Sequence, residues 1–144
     1  MFDTSHLHPM IVHFPVALII IGFLADLGGL FFKKEPCLTK TGFYLMILGT
    51  LAALAAVLTG EFFTSADSLQ GEVASVEGSH ELFAKVTLAL MILASLFRIY
   101  IVWKKKEGSS LKWVAFILYF FAMVTVSITG FLGGTMVYNY MIGI

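Results

Sequence analysis

The stretch MIVHFPVALIIIGFLADLGGLFF, residues 10–32, decides the fold, because it is apolar throughout except for His13 and Asp26. A helix of roughly 20 such residues crosses a hydrocarbon core of about 30 Å. Gly42–Phe63, Leu82–Trp103 and Val114–Tyr138 have the same character, so the expected fold is all-α, with four membrane-spanning helices using nearly the whole chain. With 59% hydrophobic and 12% charged residues in 144, the chain is far poorer in charge than soluble domains, which carry about 25%. Residues 1–144 read as a single membrane domain. No basic region or cleavage signature accompanies the first run, which reads as a retained span.

Outward from the spans, the charges sort by connector. Lys33, Lys34 and Lys40 lie between the first two spans, and Lys104, Lys105, Lys106 and Lys112 between the last two. The basic-inside bias places both connectors on the cytoplasmic side and both termini outside. The connector 64–79 holds Asp67, Glu72 and Glu77 and no basic residue, as expected of an outer loop, and Asp67 followed by Gln70 could cap a short helix there. Short cytoplasmic connectors make consecutive helices antiparallel neighbours, which gives an up-down bundle with the first and third spans on a diagonal.

The polar residues gather at the outer end. His8 precedes Pro9, which suits a first helical turn, and His13 follows about one turn inside. An ionisable residue within a span marks a functional site by default. His80 opens the third span behind Gly78-Ser79. At helical period from it lie Ala84, Thr87, Met91, Ala94, Ser95 and Arg98, a small and polar stripe that should face the bundle interior. The His13-to-Thr59 and His80-to-Thr129 intervals differ by three residues, a weak tandem repeat that puts His13 and His80 at matched depth. Gly60 follows Thr59, and Gly130 and Gly134 form a GxxxG spacing. These positions suit either close helix packing or clearance for a flat group between the histidines. Glu61 could orient an imidazole, and Lys85 could meet an anionic group of a ligand or pair with Glu81. In the inner half, Asp26 lies away from His13, and Arg98 is its expected ion-pair partner.

The opening His8-Pro9-Met10-Ile11-Val12-His13-Phe14-Pro15-Val16-Ala17-Leu18, with Thr129-Gly130-Phe131-Leu132-Gly133-Gly134 and Val137-Tyr138, resembles the bacterial four-helix membrane proteins grouped as domain of unknown function 2231. The resemblance covers essentially the whole chain. It implies a multi-pass protein of the bacterial cytoplasmic membrane. Relatives fused to electron-transfer domains imply redox work.

From the residues themselves the leading expectation is a b-type haem protein for electron transfer, with His13 and His80 as axial ligands near the outer face. His8, Thr59, Gly60, Thr129, Gly130 and Lys85 complete the expected cofactor surroundings. Without a Cys-x-x-Cys-His motif, c-type attachment is excluded. The alternatives are a zinc, copper or iron site built from His13, His80, His8 and Glu61, or a non-catalytic partner or carrier subunit. Besides the lipid bilayer, the reading admits a redox partner protein or a quinone, and association with a second copy of the chain. Nucleic acid is not an expected partner, and no hydrolase or transferase constellation is present.

Overall fold

The computed structural model describes residues 7–63 and 71–140. They form five helices: α1 (Leu7–Ile11), α2 (His13–Phe31), α3 (Pro36–Phe63), α4 (Glu72–Trp103) and α5 (Leu111–Tyr140). Four segments are long and apolar enough to cross a membrane, namely His8–Phe31, Pro36–Phe62, Glu72–Trp103 and Leu111–Tyr140. The expected all-helical four-span bundle is thus the architecture observed. Leu24, Leu51, Leu82, Leu96 and Phe121 stand exposed on its outside, where lipid is the solvent that accepts them.

α1 and α2 form one span, since Val12 between them keeps helical backbone angles, φ −61 and ψ −22, and its N–H reaches the carbonyl of His8 at 3.1 Å. Pro15 lies in the first turn of α2, where its missing N–H costs least. The third span starts earlier than expected. The stretch 72–79, read from the sequence as loop, is the opening of α4, and His80 sits two turns inside the helix instead of at its cap. The residues explain this: Gly71 takes φ 69 at the helix boundary, and Glu72 places a carboxylate in the first turn, where the helix dipole favours it. Gly78 meets no neighbouring side chain and does not end the helix. The expected Asp67–Gln70 cap lies outside the described residues.

Packing is uneven around the bundle. α2 runs closely along α3 and α4 along α5, whereas the α3–α4 and α2–α5 seams are looser. The α2–α3 seam is close because glycines lie in it. A Cβ added at Gly42 would stand 2.9 Å from the backbone nitrogen of Asp26, and one at Gly49 would stand 2.9 Å from Ile19 Cγ1. The core joins Ile19 and Phe23 of α2 to Met46 and Ala53 of α3, Met91 and Ala94 of α4, and Tyr119, Ala122 and Val126 of α5.

The interior stripe of α4 is the one the sequence marks. Thr87, Met91, Ala94 and Ser95 are buried. Their polar members find partners on both neighbours: Thr87 lies 2.8 Å from the Thr125 hydroxyl of α5, and Ser95 lies 2.8 Å from the Thr50 hydroxyl of α3. Further along the same face, Arg98 Nη2 bonds Asp26 Oδ1 at 2.8 Å across the diagonal, the ion pair the sequence anticipates.

Candidate functional site

At the end of the bundle opposite the lysine connectors, three histidines are held by the same ring atom. His8 is buried, with Nδ1 at 3.1 Å from Thr59 Oγ1 near the end of α3. The Thr59 hydroxyl donates to the carbonyl of Ala56 at 3.0 Å, so toward His8 it acts as acceptor. His80 is half-buried, and its Nδ1 lies 3.0 Å from the carbonyl oxygen of Thr129 on α5. His13 is exposed, with Nδ1 at 2.7 Å from the carbonyl of Pro9 one turn back. A carbonyl, or a hydroxyl whose proton is already committed, accepts only from N–H. In each neutral ring Nδ1 therefore carries the proton and Nε2 keeps its lone pair.

Glycines seat the two inward imidazoles. A Cβ at Gly60 would approach His8 Cε1 to 3.0 Å, and one at Gly133 would approach His80 Cε1 to 3.3 Å. Gly130, expected beside the same space, instead faces Val16 of α2, and Gly134 meets nothing within 4 Å. At Gly60 the space left by the missing side chain is taken by the His8 imidazole, which lies against the helix backbone.

His8 and His80 lie within electrostatic reach of one another. The sequence reading pairs His13 with His80, but the imidazole that faces inward with His80 is His8. Helical period accounts for this, since His8 and His13 are five positions apart on one span and their side chains leave it about 140° from one another. α1 folds its own turn against α3, which brings His8 to Thr59, while His13 begins α2 on a face that does not enter the core. The tandem repeat sharpens accordingly, since the bonded pairs His8–Thr59 and His80–Thr129 span 51 and 49 residues. The signal for His8 was present in its own spacing to Thr59, which matches the second interval better than that of His13.

Around this pair the charged side chains bond one another. Lys85 reaches Glu61 at 3.2 Å across the α3–α4 seam and also pairs with Glu81, and all three are exposed. Lys85 thus makes the Glu81 pair foreseen for it and takes Glu61 as well. Glu61 accepts from Lys85, and among the described residues no imidazole donates to it. Among the described residues no three His, Cys, Asp or Glu side chains come together in a metal-binding group.

The family described as predicted membrane protein (DUF2231) matches residues 4–144. The chain belongs to that family. No curated protein and no solved structure matches it. Family membership, with the four apolar helices, establishes a multi-pass membrane protein and assigns no chemistry to the histidine end of the bundle. In this member that end offers two anchored, inward imidazoles on opposite sides, His8 beside α3 and His80 beside α5.

Proposed function

We propose that this family member is a b-type haem protein of the bacterial cytoplasmic membrane, carrying electrons at the outer face, with His8 and His80 as the axial ligands. The observation that carries the reading is the shared anchoring: each imidazole gives Nδ1–H to a fixed oxygen and keeps Nε2 for a metal. Such an acceptor fixes the ring's orientation and raises the basicity of the ligating nitrogen, an arrangement metal-bound histidines almost always show. Haem iron takes its equatorial nitrogens from the porphyrin and asks the protein for axial ligands alone, so a two-imidazole set fits it. A structural zinc ion would ask for four protein donors.

The surroundings support the same reading. Thr59 and Thr129 hold the ligands, Gly60 and Gly133 let the rings lie close to the helix backbones, and Gly134 leaves open space beside α5. When bound, haem supplies a one-electron couple between ferrous and ferric iron. The chain's residues hold both imidazoles oriented at the mouth of an apolar bundle, where a redox protein or a quinone can exchange the electron. Lys85, with Glu61 and Glu81, ties α3 to α4 at that mouth. The test is the absorption spectrum of the protein purified after expression with added haem precursor, with haem quantified per chain. A low-spin b-type spectrum at stoichiometric haem supports the proposal, and a haem-free chain under those conditions overturns it.

A further inference from the structure

At the lysine end, the loose α3–α4 seam opens into a cleft of about 510 Å³. Phe43, Tyr44, Ile47 and Leu48 of α3 and Ile99 of α4 line it, all apolar or aromatic. Its volume is that of a small-molecule site, yet it lies on the lipid-facing side of the bundle and offers no cluster of polar groups to orient a soluble ligand.

The mouth of the cleft differs in chemistry from its walls. Lys40 stands one turn before Tyr44 on α3, and Trp103 stands one turn after Ile99 on α4, so each extends a lining face toward the membrane boundary. Lys104 Nζ lies 4.6 Å from the centroid of the Trp103 ring, which carries its charge to the same rim. Tyr44 and Trp103 are exposed, as aromatic residues at head-group depth are. Lys40 and Lys104 are also exposed, and among the described residues the carboxylate-paired cations are Lys85 and Arg98. The rim therefore presents two ammonium groups without a protein counter-ion above an apolar trough.

We propose that this cleft is a binding site for a membrane phospholipid with an anionic head group, its acyl chain lying along Phe43, Ile47, Leu48 and Ile99 and its phosphate region between Lys40 and Lys104. The match is one of shape and charge together: hydrocarbon fills the trough, and the head group supplies the missing negative charge where the bilayer itself holds it. The inference is independent of the haem reading, because it concerns the opposite end of the molecule.

Native mass spectrometry of the protein released from nanodiscs of phosphatidylcholine and phosphatidylglycerol tests it. The unaltered protein should retain phosphatidylglycerol over phosphatidylcholine, with about a fivefold contribution from each rim lysine. Lys40→Gln with Lys104→Gln, both on the surface and outside the packing, should remove that selectivity. Lys33→Gln with Lys34→Gln removes the same charge from the same membrane face and should preserve it. Ile47→Trp, which fills the trough, should lower the number of retained lipids by one whichever head group is supplied. Equal losses in the two lysine pairs would show a diffuse positive surface instead of a site and overturn the proposal. So would an unchanged lipid count in the folded Ile47→Trp protein.

Discussion

Arg98 and Asp26 join α4 to α2 across the diagonal of the bundle, with Nη2 and Oδ1 2.8 Å apart and side-chain exposures of 11% and 5%. No other described ion pair is buried. Removing one member leaves the other charge without its partner in a medium that solvates it poorly. Asp26→Ala should therefore destabilise the protein by about 3–5 kcal/mol, and Asp26→Ala with Arg98→Ala by less than the sum of the single changes. A double-mutant cycle from denaturation in detergent checks this, and additive effects would remove the pair from the account.

Tyr119 occupies the same half of the core with its hydroxyl buried and, among the described residues, without a hydrogen-bond partner. The ring packs edge-on against Phe23 at 5.8 Å, so the aromatic part is well used while the hydroxyl is not. An unsatisfied buried donor costs about 1–3 kcal/mol. Tyr119→Phe is expected to raise the denaturation midpoint. A lowered midpoint would show that the hydroxyl is bonded in the membrane.

The α2–α3 seam predicts a contrast between glycines. At Gly42 an added methyl meets backbone atoms of Asp26 at 2.9–3.0 Å, which a rotamer change cannot relieve, whereas at Gly134 it meets nothing within 4 Å. Gly42→Ala should cost about 1–3 kcal/mol. Gly134→Ala should be near neutral for stability. Thermal denaturation of the two variants side by side gives the comparison.

These cases show where the sequence was informative. The spans were legible because lipid imposes length and apolarity on each helix, and the Asp26–Arg98 pair because charges within spans are few enough to match. The interior face of α4 was legible because Thr87, Ser95 and Arg98 recur at helical period among bulkier residues. Gly42 and Gly49 do not reveal a seam by themselves, since which face of α3 meets α2 depends on packing that periodicity in an all-round apolar helix does not encode. Which of His8 and His13 turns inward is hidden for a related reason. The five-residue spacing puts the two on different faces of one helix, but which face meets α3 depends on packing that the spacing does not encode.

The lysine connectors predict which end of the bundle faces the cytoplasm, and that expectation has a direct chemical probe. Cys37 is exposed at the lysine end, and Ser75 is exposed near the start of α4 at the histidine end. In intact cells a membrane-impermeant maleimide should leave Cys37 unlabelled and should label a Ser75→Cys variant carrying Cys37→Ser. The reverse pattern would place the histidines on the cytoplasmic side.

The central claim is that His8 and His80 ligate one haem, and spectra of single histidine variants test it most directly. Losing either ligand opens a coordination position on the iron, so His8→Ala and His80→Ala should each abolish the low-spin b-type spectrum or leave a five-coordinate species. Thr59→Val should weaken haem retention more mildly, because it removes the acceptor of the His8 Nδ1–H while leaving the ring in place. His13→Ala, altering an exposed ring bonded only to its own helix turn, should leave the spectrum intact. A haem-loaded protein whose low-spin spectrum survives loss of both His8 and His80 would contradict the account.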